Sequence, residues 1–423
     1  MMASSPTGWS YPENVTVLLV GTCDTKSDEI AYLRECVAAH GATSLVMDVG
    51  VLGDSPIPVD FSRHDVAAAA ATTNDEIIAL GDENAAMTKT AEGATALAAK
   101  LDGERRIDAV LILGGTMGTD LALDVVAALP FGLPKVILST VAFSPLVPAD
   151  RIAPDLIMVL WAGGLYGLNT MSRTSLRNAV GAAVGGARVQ DADSPQRPVV
   201  AISSLGTSAL RYVIDIVPAL EARGFESAVF HSTGMGGRAL ASLAQQGRFV
   251  AIFDFCLQEV TNQCFGSQVY SGDDRLLAPG IPRLVAPGGV DMIDAVAFQP
   301  VPQAIAHQEF HQHNRLITSA MATLEQRQYV AEHVASELAR SDAPTTFLLP
   351  RHGLSEWDRP GGPLHDQVAI DGMADAFAAA IQPPVELVDL DAHLNDPLFS
   401  ATALEIFDQW IADGVIATPK ACS

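Results

Sequence analysis

Residues 15–26 read VTVLLVGTCDTK, an apolar, β-branched run that stops at a glycine and continues as Gly21-Thr22-Cys23-Asp24-Thr25-Lys26. A continuous apolar run of this length is the pattern of a strand buried on both faces, as in parallel sheets. The same pattern returns at residues 109–120, AVLILGGTMGTD, where Ala109–Leu113 gives way to Gly114-Gly115-Thr116-Met117-Gly118-Thr119-Asp120. Around these lie helical periods at Asp28–Ala39, Ala67–Leu80, Ala91–Leu101 and Leu121–Leu129, with further strands at Ser44–Met47 and Lys135–Leu138. Strand and helix alternating in this way predict a parallel sheet covered by helices on both faces.

Outward from this core, the stretch ARVQDADSPQRP (187–198) is polar, contains proline and has no apolar period, so it reads as a linker. The rhythm then restarts with strands at Val199–Ser203, Ala228–Phe230, Phe249–Phe253, Thr345–Leu349 and Val385–Val388. Helical patterns lie at Ala209–Arg223, Arg238–Gln246, Ala322–Arg340 and Thr402–Ala412. The expected fold class is α/β: two Rossmann-like doubly wound domains with mostly parallel sheets, spanning residues 1–186 and 199–423. Each half places a Gly-Thr pair shortly after its first strand (Gly21-Thr22 and Gly206-Thr207), a weak sign of duplication.

Composition narrows the function. The chain has 423 residues, 49% of them hydrophobic, and 25 Lys+Arg against 49 Asp+Glu, for a formal charge of −24. A field of that sign excludes a basic nucleic-acid-binding surface. It does not exclude a small anion held by backbone N–H groups. Five cysteines without a C-x-x-C argue against a disulfide framework or a cysteine zinc site. The N-terminal residues lack the pattern of a secretory signal and no run is long enough for a membrane span, so a soluble cytoplasmic protein is expected.

In a doubly wound sheet ligands sit beyond the carboxyl ends of the strands, where the glycine-rich turns fall. In the first turn Gly21 permits close backbone approach, Thr22 and Thr25 offer hydroxyls, and Asp24 can cap a helix or face a ligand. Lys26 suits a phosphate or a neighbouring acid, and an ordinary capped turn explains the segment equally well. The loop Gly114–Thr119 has three glycines and two threonines in six positions, more than a tight turn needs. It reads as an anion-wrapping loop opening a helix. No G-K-[ST] occurs, so it is not a Walker A loop. Residues 234–239 match G-x-G-x-x-A, with Asp254 at the end of the next strand, which makes a nicotinamide site a rival reading. The insert His231–Thr233 and the absence of a fingerprint on the domain's first strand weigh against it.

His307, His311 and His313 form H-x-x-x-H-x-H. Two imidazoles on one helical face would suit zinc, but the segment is not H-E-x-x-H, and a surface or interface cluster is the preferred reading. No metal site is assigned. Ser355, Asp358, His365 and Asp366 lie in a long Pro/Gly loop, RHGLSEWDRPGGPLHD (351–366), that either walls a site or satisfies its own backbone. The stretch from Gln258-Glu259 to Asp273-Asp274 reads as a solvated acidic loop.

Taken in order, the segments VGTCDTKSDEIAYLR (20–34), MDVGVLG (47–53), LGGTMGTDLA (113–122), PKVILSTVA (134–142) and LNTMSR (168–173) resemble the ATP-binding domain family typified by the amino-terminal region of the tomato mosaic virus resistance protein. So do FHSTGMGGRALASL (230–243), PGGVDMI (287–293), FHQHN (310–314), the 351–366 loop and HLNDPLF (393–399). The resemblance spans nearly the whole chain. It implies two Rossmann-like domains, a homodimer, and ATP, with Mg²⁺ through the nucleotide, near an interdomain cleft. It implies phosphate contacts from Gly21, Thr22, Asp24, Thr25 and Lys26, and from Gly114, Gly115, Thr116, Gly118 and Thr119. Ser139, Thr140, Thr233, Gly234, Gly236 and Gly237 join them as cofactor-binding positions. The chain departs from the family at Phe143-Ser144-Pro145, at Phe255–Val260 and at Gln367.

The leading expectation is therefore a nucleotide-binding protein. The alternative is a lyase or hydrolase using the same cleft on an anionic substrate without ATP, with His231, Asp254, Glu259, Ser355, Asp358 and His365 as acid/base candidates. An interaction module acting through its surface is the third class.

Overall fold

The computed structural model describes residues 9–10, 14–191, 197–206, 211–270, 272, 276, 280–362 and 365–417. The chain divides into two compact units, Met1–Ser194 and Pro195–Ser423. In unit 1 the chain order is β1 (Trp9–Ser10), β2 (Thr16–Gly21), α1 (Ser27–Ala39), β3 (Thr43–Asp48), α2 (Arg63–Ala69), α3 (Asn74–Ala79) and α4 (Glu83–Gly103). It continues with β4 (Ala109–Gly114), α5 (Thr116–Ala127), β5 (Lys135–Ser139), β6 (Leu156–Leu160), α6 (Thr170–Arg188) and β7 (Gln190–Asp191). The main sheet is ordered β3-β2-β4-β5-β6 and is parallel throughout. All six residues of β4 are buried, because helices cover both faces of the sheet. One face packs Leu18, Val20, Val110 and Ile112 against α4 and α5; the other packs Val17, Leu19, Ala109 and Leu111 against α1 and α6.

Unit 2 runs β8 (Val199–Ser204), α7 (Arg211–Ala222), β9 (Glu226–His231), α8 (Met235–Gln245), β10 (Ala251–Cys256), α9 (Gln258–Cys264) and β11 (Arg283–Gly288). An excursion follows, β12 (Met292–Val296), β13 (Phe310–Gln312) and β14 (Ile317–Met321). The unit closes with α10 (Leu324–Leu338), β15 (Thr345–Pro350), α11 (Gln367–Ala380), β16 (Glu386–Leu390) and α12 (Pro397–Ala412). Its parallel sheet is ordered β16-β15-β11-β10-β8-β9, and the excursion is a separate antiparallel sheet, β12-β14-β13. Read from β9, the first five strands follow the same order as those of unit 1. An aromatic stack fills one face, with Tyr212 and Phe255 rings 5.3 Å apart and Phe255 and Phe399 4.9 Å apart.

The two parallel sheets are the α/β architecture expected from the sequence. Several segments differ in detail. The helix read at Ala67–Leu80 is two helices, because Ala71 takes a positive φ of 54° and Thr73 with Glu76 then builds a fresh capping box. The linker read from residue 187 begins later, since α6 runs through Arg188 and β7 pairs antiparallel with β1. The acidic stretch at 258 is not a solvated loop: α9 is buried, and Glu259 is fully covered. Asp273, Asp274, Thr207 and the start of the helix read at Ala209 lie outside the described residues. No helix among the described residues is long and apolar enough to cross a membrane.

Candidate functional site

In unit 1 the strand order reverses between β2 and β4, which opens a crevice beyond their carboxyl ends. A cavity of about 730 Å³ occupies it. One wall is Thr22, Asp24, Thr25 and Lys26; the facing wall is Gly114–Gly118; and Val51, Leu52, Ile78 and Met87 complete the lining together with Asp82 and Glu83. Two turns remote in sequence are thus brought together by the sheet.

The facing wall ends in the N-terminus of α5. Its N-cap is Gly115, and no side chain caps it. The first N–H groups of a helix have no partner within the helix, and the dipole adds partial positive charge there. The glycines divide the work. A Cβ on Gly114 would fall 2.4 Å from the Gly118 carbonyl carbon, so this glycine lets the strand end meet the helix. A Cβ on Gly115 would meet only Thr140 Oγ1, at 3.9 Å, so its bareness leaves the helix mouth clear. Thr119 and Ser139 are buried, and their hydroxyls bond each other at 2.7 Å beneath the loop. Thr140 donates its N–H to Gly114 O at 3.2 Å. These three support the loop from behind.

On the opposite wall Thr22 and Thr25 share a hydroxyl hydrogen bond of 2.9 Å. Lys26 lies with its ammonium 5.3 Å from the Tyr166 ring centre, and among the described residues it makes no ion pair. Gly21 brings its strand end against Ile30, whose Cδ1 would lie 2.8 Å from an added Cβ. Asp24 accepts from Gly53 N–H through Oδ2, while its Oδ1 is buried without a hydrogen-bond partner. The turn is held by Asp48, whose Oδ1 accepts from Cys23 N–H and Gly50 N–H, both at 2.9 Å. Burial raises the Asp48 carboxyl above the usual range. Burial, with the Asp48 charge beside it, pushes the Cys23 thiol up to about 12, which removes it as a thiolate nucleophile. Asp48, the last residue of β3, thus shapes this wall, although no glycine pattern marks it in the sequence.

The glycine loop of unit 2 is arranged differently. Gly234 has φ +96°, and a Cβ on Gly236 would sit 1.9 Å from His231 O, so both positions require glycine for the turn itself. The N–H groups of Gly234 and Gly237 donate to Glu259 Oε1, the second at 3.3 Å. The N-terminus of α8 is thus filled by the protein's own carboxyl group, so Glu259, an acid/base candidate from the sequence, is engaged in holding the turn.

The remaining acid/base candidates do not meet in one cavity. Asp254 is buried and accepts from Ser203 Oγ at 2.7 Å. Asp358 is buried and accepts from the N–H groups of Leu354 and Ser355 (2.7 and 3.2 Å), with His393 Nε2 3.1 Å away. The Ser355 hydroxyl accepts from Trp357 N–H at 3.3 Å, and His365 Nδ1 lies 2.7 Å from Asp358 O. The 351–366 loop therefore satisfies its own backbone; its residues 363 and 364 lie outside the described set. Of the six, His231 lines a smaller cavity of about 130 Å³, shared with Thr233, Gln258, Asp294, Ser319 and Trp357. His311 sits on strand β13 and not on a helix, so the helical spacing that suggested zinc is absent. The rings of His311 and His313 instead flank Trp357, at 5.3 and 5.6 Å.

Comparison with known proteins agrees with this two-unit layout. Residues 15–192 match the model of the uncharacterised protein family (UPF0261) N-terminal domain, and residues 197–411 that of its C-terminal domain. A UPF0261 protein of Brucella suis is 47% identical over 410 residues, covering 96% of this chain and 98% of its own length. A UPF0261 protein of Mesorhizobium japonicum is 31% identical, covering 93% and 98%. The ToMV susceptible protein tm-1(GCR26) of Solanum lycopersicum is 26% identical over 92% of this chain but only 55% of its own length. With both domain models matched in order along one chain, this protein belongs to the UPF0261 family.

Proposed function

We propose that unit 1 binds a nucleoside polyphosphate, ATP being the candidate, with Mg²⁺ entering on its phosphates. The observation that carries this reading is the uncapped N-terminus of α5, facing a large cavity lined by both polar and apolar side chains. The N–H groups of Thr116–Gly118, the hydroxyls of Thr22 and Thr25 and the Lys26 ammonium suit phosphate oxygens. Leu52 and Ile78 are exposed apolar side chains of its lining, suited to the face of a planar base.

Charge also bears on the metal. With a chain charge of −24, one lysine and a helix dipole are little to set against a triphosphate. A Mg²⁺ carried on the phosphates, which themselves complete much of its shell, supplies the remaining positive charge. Calorimetric titration of the full chain with Mg-ATP tests the reading. The expected result is saturable heat that weakens when EDTA removes the metal. Folded protein that gives no heat at millimolar Mg-ATP would remove ATP as the ligand.

A further inference from the structure

We propose that the smaller cavity in unit 2 is a binding site for a small primary amine, held as its ammonium form. The cavity lies where β8 and β10 diverge, the point that corresponds to the unit 1 crevice, and it is independent of the nucleotide reading. Its volume of about 130 Å³ is far above the roughly 10–15 Å³ that a single water needs.

Its floor is built of acceptors. Asp294 is 3% exposed and accepts from Ser319 Oγ at 2.6 Å. Gln258 is 2% exposed and lies beside Asp294. Gln258 lines the cavity, and its Oε1 is buried without a hydrogen-bond partner. His231 Nδ1 lies 3.2 Å from Ser204 O, which places a proton on Nδ1, so that in the neutral ring Nε2 is a third acceptor. A buried acceptor left unsatisfied points to a donor that belongs there.

An ammonium group is all donor, with three N–H and no acceptor. Among the described residues no lysine or arginine lines the cavity and one carboxylate does, so an anion finds no counter-charge from them there. A neutral polyol would satisfy the oxygens but leave the Asp294 charge unbalanced. Burial already holds the Asp294 carboxyl above its ordinary range, a cost that a bound cation offsets. The Trp357 ring, buttressed by His311 and His313, supplies an aromatic face of the kind that attracts cations. The overall negative charge favours a cation's approach.

The test titrates the full chain calorimetrically with ethanolamine and propylamine hydrochlorides, and with glycerol and sodium acetate as neutral and anionic counterparts. Saturable heat is expected with the amines alone. Asp294→Asn and Gln258→Leu, shown to be folded by circular dichroism, should each weaken amine binding by about tenfold or more. Gly115→Asp, in the other unit, should leave it unchanged. Should Asp294→Asn not fold, Trp357→Leu replaces it, with the same loss expected. The proposal is overturned by folded wild-type protein that binds neither amine, by glycerol or acetate binding as tightly as the amines, or by folded variants that bind amines unchanged.

Discussion

The helix that begins after Gly115 and the helix that begins after Gly234 both follow a glycine-rich turn at the end of a parallel strand, yet their N-termini are in opposite states. In unit 1 the mouth of α5 has no capping side chain and faces a large cavity. In unit 2 the mouth of α8 is filled by Glu259, reaching from the start of α9 to accept from Gly234 and Gly237. A glycine-rich turn before a helix therefore marks a place where an acceptor is needed, not where a ligand binds. Whether the acceptor is foreign or supplied by the chain is decided by residues elsewhere in the fold.

Removing the internal acceptor gives the largest expected effect. Glu259→Ala leaves two buried N–H groups unsatisfied and should destabilise unit 2 by about 3 kcal/mol, read as a lowered urea midpoint. If the comparison is sound, the vacated helix mouth should also respond to anions. Inorganic phosphate should then raise the melting temperature of the variant more than that of the wild type. Equal responses would mean that Glu259 is not holding an anion position.

The reverse experiment makes unit 1 resemble unit 2. Gly115 has an ordinary negative φ of −74° and room for a Cβ, so Gly115→Asp should fold and cap α5 with its own carboxylate. Mg-ATP affinity should fall by about a hundredfold, or 2.7 kcal/mol. An unchanged affinity in folded protein would place any nucleotide elsewhere.

Unit 2 also keeps more acid inside, and this has a pH signature. Burial and the neighbouring Asp358 charge raise Asp291 from the ordinary 3.8 to about 6, against the opposing charges of Arg327 and His393. The folded state thus holds this proton more tightly than the unfolded chain. Its stabilising contribution is complete below 3.8 and is lost as pH rises through about 6. Asp291→Asn should therefore stabilise the protein near neutral pH by on the order of 2 kcal/mol and gain nothing in acid. Denaturant midpoints across that range would show it. A constant difference at every pH would mean that Asp291 does not titrate in the folded state.

The parts of this picture that sequence exposes are local ones. The buried strands are readable because parallel strands covered on both faces are apolar throughout, as in TVLLVG and AVLILG. Gly114 and Gly115 are readable because glycine clusters at strand ends have few other causes. The plug at Glu259 is not readable, since it joins residues 22 and 25 positions apart and lies in a segment whose acids and amides suggest solvent. The three-stranded excursion escapes for another reason: strands of three to five residues carry too little alternation to register. The cavity at Asp294 and Gln258 depends on that excursion, so it is invisible for the same reason.

The smallest effect tests the backbone. Among the described residues, the non-glycine residues with positive φ are Ala71, Arg105 and Phe143, all in unit 1. Phe143 has φ 61° and is 75% exposed, so its ring gains little from packing while its Cβ crowds the turn. The left-handed conformation costs a residue with a Cβ about 1 kcal/mol, and glycine nothing comparable. Glycine also raises the entropy of the unfolded chain, which offsets part of the gain. The net expectation for Phe143→Gly is a stabilisation of unit 1 of roughly 0.5 kcal/mol, with Mg-ATP binding unchanged because Phe143 does not line the large cavity. If the substitution instead destabilises the protein, the ring has a packing role that outweighs the turn. If it alters nucleotide affinity, the loop after β5 belongs to the site, and the open mouth of α5 is only part of it.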